Sequence, residues 1–319
     1  MKIGKLPENV WKRSVRKEIK NNIFDKGGIG VAYDSALLNY GGTMCVSEAC
    51  LVPFCRQMGT LAVYMAVNAA AASGASPRSV MVSCMFDGRT DEDFLKHVAK
   101  SVSDAAGKLK CDVVGFDVHM IQGLKKPFIT CSALGEGCSD RSIAKSDEDV
   151  VMAGMIGLGG SIMITDLKEK ELKEYYPSEY IDGIYGFDKF LSVGDICEIA
   201  KKYNPSYMRS VAEGGILRTL WEMAEISKIG LEINLKDILI KQETVEICNY
   251  FDLNPYKLMS GGCVVFTTES GADAVSELES KGIRATIIGR TTSGNDKLIL
   301  NDDEKTFITQ ADQDEIYSI

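Results

Sequence analysis

The chain has 319 residues, of which 45% are hydrophobic and 25% charged, and its formal net charge is −9. Such a length and composition suit a globular protein of two domains with a sizeable core. The acidic balance argues against nucleic acid or an anionic membrane as the main partner, because phosphate groups reward lysine and arginine.

No stretch reaches the roughly 18 apolar residues that a membrane-spanning helix needs, and residues 1–17 lack the apolar centre of a signal peptide. The expectation is a cytoplasmic protein with no membrane partner. Ten cysteines are present, but none forms a C-x-x-C pair. They read as buried small hydrophobes rather than as a metal site or disulfides.

In chain order, Glu8 to Ile19 reads as a leading helix, and a linker follows that ends in Lys26-Gly-Gly-Ile-Gly30. That glycine cluster lacks the lysine–serine ending of a P-loop and reads as a turn. Strands are expected at 31–38 and 43–48. A helix is predicted over 55–73, where Leu61, Met65 and the alanines recur at three- and four-residue steps before Gly74 and Pro77 stop it. Its second half is nearly all alanine, broken by Asn68, so it can lie close to a neighbour. Val80 to Phe86 reads as a buried strand. Thr90 then caps a helix to about Lys108, with Asp91, Glu92 and Asp93 in its first turn to suit the helix dipole. Strands at 111–117 and 127–135 complete an α+β first domain, residues 1–140. The polar stretch 135–149 marks the boundary with a second domain, residues 148–319.

The second domain opens with a strand at 150–155. Gly157-Leu-Gly-Gly160 then leads into a helix; it is no dinucleotide fingerprint, because Ile162 stands where the third glycine belongs. Helices are expected at 168–176 and 193–202. Met208 to Ile226 carries the turn Glu213-Gly214-Gly215 and a following helix. Those glycines either leave backbone N–H groups free for an anion or form a bare cap. Strands near 231–235 and 260–267, a helix at 270–281, strands at 284–289 and 297–300 and a hairpin turn at 301–305 complete an α/β domain.

Five pieces, in order and spacing, carry a resemblance: Val31-Ala-Tyr-Asp34-Ser-Ala, Val46-Ser-Glu48, the alanine-rich helix with Asn68, Val113 to Asp117, and Glu213 to Ala224. Together they resemble the superfamily of aminoimidazole ribonucleotide (AIR) synthase, the PurM-like proteins, and chiefly its hydrogenase maturation factor. The likeness runs from Gly4 to Arg290. It implies a two-domain α+β fold whose N-terminal sheet domain pairs into a homodimer. It also implies ATP and magnesium as cofactors, since magnesium takes hard oxygen ligands and neutralises the moving phosphoryl group. Carried over by position, Asp34, Glu48 and Asp117 would hold metal. With Asn68, Glu213, Gly214 and Gly215 they would line the nucleotide site.

The departures are specific. Glu48 stands where aspartate is usual, Ala69 replaces an aspartate, and Arg209, Ser210 and Ala212 replace histidine, aspartate and threonine. Arg209 reads either as a phosphate partner or as an exposed surface arginine. The end of the chain, 314–319, lacks the maturation factor's substrate-bearing cysteine, which argues against cyanide-ligand synthesis. Two readings stand. One is an ATP-dependent enzyme with an altered metal site and an unknown small-molecule substrate. The other is a catalytically silent relative that binds a protein partner or a metabolite.

Overall fold

A computed structural model describes residues 42–51, 55–137, 143–309 and 313–319, together with the backbone of Ser35–Asn39. The expected helix at 8–19, the glycine turn at 26–30, Asp34 and the middle of the polar boundary stretch lie outside the described residues.

The first half contains β1 (Ser35–Asn39), β2 (Thr43–Leu51), α1 (Met58–Ala72), β3 (Ser76–Asp87), α2 (Glu92–Lys108), β4 (Asp112–Ile121) and β5 (Phe128–Glu136). The strands form a five-stranded sheet in the order β1-β2-β5-β3-β4. All neighbours are antiparallel except β3 and β4, which α2 connects in parallel. Alternation along each strand sorts its side chains by face. Cys45, Ser47, Ala49 and Leu51 of β2, Val80, Val82, Cys84 and Phe86 of β3, and Ile129, Cys131 and Ala133 of β5 are buried toward α1 and α2. The other face holds Val46, Met81, Met85 and Leu134, none of them buried.

Helix α1 is buried almost all round because it is packed on both sides. It lies on β2, β5, β3 and α2, and it also touches the second half of the chain. Its small residues permit this closeness: a Cβ on Gly59 would sit 2.1 Å from Ser101 Oγ of α2.

The second half contains β6 (Asp149–Gly154), α3 (Leu158–Leu167), α4 (Glu169–Tyr175), α5 (Ser178–Tyr185), α6 (Gly194–Lys201), β7 (Tyr207–Ser210), α7 (Gly215–Ser227), β8 (Gly230–Asn234), α8 (Gln242–Tyr250), β9 (Cys263–Thr268), α9 (Gly271–Ser280), β10 (Ala285–Thr292), β11 (Lys297–Asn301) and β12 (Glu304–Phe307). Its seven-stranded sheet runs β12-β11-β8-β10-β6-β9-β7. The apolar runs of β6 and β9 sit near the middle and are covered on both faces. Val150, Met152 and Val265 pack with α7, whereas Val151, Ala153, Val264 and Phe266 pack with α6 and α9.

Helices α5 and α8 escaped the sequence reading because each contributes only two or three buried residues, too few for a visible period. The strand expected from 260 starts at Cys263, since Gly261 and Gly262 take left-handed φ of 78° and 71°. Among the described residues no helix is long and apolar enough to cross a membrane.

Candidate nucleotide site

Strand β7 ends at Ser210, and the chain turns through Glu213 into α7. The turn needs glycine twice. Gly214 and Gly215 have φ of 84° and 66°, and a Cβ on them would lie 2.4 Å from Arg218 Cδ and 2.4 Å from the Tyr256 carbonyl. Nor is the Gly214 N–H free. It donates to Asp314 Oδ2 at 2.5 Å, while Met259 and Ile316 donate their N–H groups to Oδ1 at 3.2 and 2.9 Å. Burial pushes the Asp314 carboxyl up to about 7, and the three N–H donors pull the other way. Nearby Glu213 adds to the upward push.

Two further groups meet this turn. The Tyr317 hydroxyl is hydrogen-bonded to Glu213, and burial raises its pKa. The pKa of the Cys50 thiol, near the end of β2, is raised first by partial desolvation, although the residue is exposed, and then by the charges of Glu213 and Glu48. Cys50, Glu213, Asp314 and Tyr317 therefore share one acidic neighbourhood where β2, the glycine turn and the C-terminal segment meet, and Glu48 lies two residues before Cys50 on the same strand. Nothing local in the sequence singles out Asp314 or Tyr317, because their partners are about a hundred residues away.

The other expected site residues are placed differently. Asn68 is buried on α1; its Nδ2 donates to the Leu191 carbonyl at 2.6 Å and its Oδ1 accepts from Val193 N–H at 3.1 Å. Both polar ends of that amide thus tie α1 to the second domain. Asp117 is exposed on the edge strand β4, with Oδ2 2.9 Å from His119 Nε2. Glu48 lies on the same open face, but β5 and β3 stand between: Glu48 is opposite Ser132, Ser132 opposite Met81, and Asp117 opposite Ser83. At about 4.8 Å per strand and a further two residues along the strand, the two acids are about 16 Å apart. Among the described residues no group of three or more His, Cys, Asp and Glu is placed to hold a metal ion.

Arg209 is not an exposed surface arginine. Its Nη1 donates to Glu222 Oε2 at 2.6 Å, and Arg218 Nε donates to Oε1 of the same carboxylate at 3.0 Å. The turn at Gly157–Gly160 is closed too, with Gly159 and Gly160 donating to the carbonyls of Ser260 and Met259 at 2.6 and 2.9 Å. A cavity of about 400 Å³ opens elsewhere, between α1 and α2, where Lys100 pairs with Asp104 and Lys108 with Asp188. Nine cysteines are described, all free thiols and all buried except Cys50.

A sheet layered with helices, joined through a central helix to a second such layer, defines a PurM-like α+β protein of two domains. Residues 38–136 match the AIR synthase related protein N-terminal domain, and residues 148–301 match its C-terminal domain. The chain belongs to the AIR synthase-related family. It is 24% identical over 252 residues to the carbamoyl dehydratase HypE of Rhizobium leguminosarum bv. viciae, covering 76% of this chain and 70% of that one. It is 26% identical over 322 residues to a phosphoribosylformylglycinamidine cyclo-ligase of Bacillus cytotoxicus, covering 88% and 89%. A crystal structure of the hydrogenase maturation protein HypE in complex with ATP shares the fold, with a TM-score of 0.73, 19% identity and coverage of 98% and 97%.

Proposed function

We propose that this chain is a cytoplasmic ATP-binding protein of the family, with phosphoryl transfer impaired by an altered site. The observation that carries the reading is that Cys50, two residues beyond Glu48 on β2, lies within reach of the Glu213 charge at the Glu213–Gly215 turn, in a fold shared with a protein solved with ATP. The nucleotide would lie in the cleft between the open face of the first sheet and that turn. Asn68 would support the cleft by fixing α1 against the second domain.

Magnesium suits the chemistry of Asp34, Glu48 and Asp117, all hard oxygen donors. Yet Glu48 and Asp117 are too far apart in one chain to share an ion at about 2 Å from each oxygen. Ala69 and Ser210 add no charge, so the described residues of one chain do not fit a magnesium site by themselves. We further propose a twofold homodimer that covers the open sheet face, where Met81 is 51% exposed and Val114 on the edge 59%. Two copies would bring their acids to a shared cleft.

Calorimetry with ATP, with and without magnesium, beside a phosphate-release assay tests the reading. Weak binding helped by magnesium and hydrolysis near background are expected. Brisk hydrolysis refutes the impaired site. Absence of binding at millimolar ATP favours the second reading, a silent protein that binds a partner or metabolite, for which the loss of carboxylates at Ala69 and Ser210 speaks.

A further inference from the structure

The C-terminal segment is seated where the ligand of the proposed function would place its charge. Residues 315–318 form a short 3-10 turn, and Ile316, 2% exposed, is buried in the core shared by α1 and α3. That anchor sets Asp314, 1% exposed, against the glycine turn. Its carboxylate accepts N–H groups from two distant places in the chain, Gly214 and Met259, and caps its own turn at the Ile316 N–H. Backbone donors converging on one anion from a glycine turn and a helix start are how proteins hold a phosphate oxygen.

The carboxylate is held there against an opposing charge, since Glu213 sets a like charge beside Asp314 and the two carboxylates oppose each other. Tyr317, bonded to Glu213, holds the segment down despite that repulsion.

We propose that residues 313–319 are a self-inhibitory latch, in which the Asp314 carboxylate occupies the backbone donors at Gly214 that a phosphate of the bound nucleotide would take. The proposal rests on the ATP-binding reading above and adds a regulation to it. The latch-closed form does not bind, so the apparent affinity of the whole protein is reduced by the fraction of molecules that are open. Anything that lifts the segment would switch binding on.

The test combines calorimetry with ATP on the wild-type chain, Asp314→Ala and Asp314→Asn, and hydrogen–deuterium exchange of the wild type with and without saturating ATP. The latch predicts ATP binding about tenfold tighter in Asp314→Ala, a smaller gain in Asp314→Asn, and faster exchange of the 313–319 amides when ATP is bound. Asp314→Asn keeps the shape of the side chain and serves if the alanine variant does not fold. The exchange measurement needs no variant. Folded variants that bind ATP no more tightly than wild type, or a C-terminal segment equally protected with ATP bound, overturn the latch and leave nucleotide binding standing. If neither the wild type nor a variant binds ATP, the nucleotide reading fails and the latch with it.

Discussion

The two sheets of this protein are built from similar layers but finished differently. In the second, β6 and β9 are buried residue after residue, because α7 lies on one face and α6 and α9 on the other. In the first, burial alternates along β2, β3 and β5, and α1 and α2 cover one face only. Strand β4 goes further, with Val114, Phe116, Val118 and Met120 all more than a third exposed. A finished sheet needs nothing more from outside, whereas the first sheet presents an apolar face and a hydrogen-bonding edge that a second copy would close. The acidic residues follow the same division: Glu48 and Asp117 stand on the open face, and the Glu213 turn is enclosed by the chain's own C-terminal segment.

The largest expected effect breaks this contrast at its open side. Met81→Arg combined with Val114→Arg places two charges where the second copy would lie, and the dissociation constant should rise by about a hundredfold or more. Light scattering at micromolar concentration would then report one chain's mass for the variant and two for the wild type. A wild type that is already monomeric removes the proposed dimer.

Next comes the joint between the two halves. Asn68→Ala deletes both hydrogen bonds that tie α1 to Leu191 and Val193, leaving a buried carbonyl and a buried N–H unpaired. The cost should be about 2–4 kcal/mol in urea denaturation. A loss below about 0.5 kcal/mol would show that the joint is held by packing alone.

The enclosed side is probed by pH. Asp314 has a carboxyl pKa raised from 3.8 to about 7 by burial, so between those values the folded chain keeps a proton that the unfolded chain has released. Its contribution to stability is fully present below about pH 4 and is lost as pH rises toward 7. The slope should be at most about 1.4 kcal/mol per pH unit, and Asp314→Asn should flatten it. Identical pH profiles for the two proteins would contradict the assigned titration.

The smallest effect concerns the missing charges. Ala69→Asp together with Ser210→Asp should tighten magnesium–ATP binding by about tenfold, while binding of ATP without the metal changes little. Unchanged magnesium dependence in calorimetry would mean that these positions do not face the nucleotide. Ser210 is buried, so the variant's melting temperature should be checked alongside.

Much of this was legible from residue order. The period of α1, the acid-rich start of α2 and the uninterrupted apolar runs of β6 and β9 announce their elements, because helix and strand periodicity are local properties of the chain. The resemblance rested on five short pieces in register; the family domains cover four of them, and the piece at 31–36 precedes the first domain. Helices α5 and α8 were not legible, since a helix of eight or nine residues with so few core contacts owes its existence to what it packs on.

The acids and glycines of the candidate site were visible one by one, but their partners were not. Gly214 and Gly215 announce a sharp turn at the start of a helix, and that follows from backbone conformation alone. Whether the donors of such a turn are open or filled depends on a residue a hundred positions away, and Asp314 reaches Gly214 only because Ile316 is buried in the common core. Likewise Asn68 is a polar residue in an alanine run until the fold sets Leu191 and Val193 against it. Local conformation is encoded by neighbours in sequence. Hydrogen-bond partners, desolvation and the spacing of charges across a sheet arise from long-range packing, and here only the folded chain decides them.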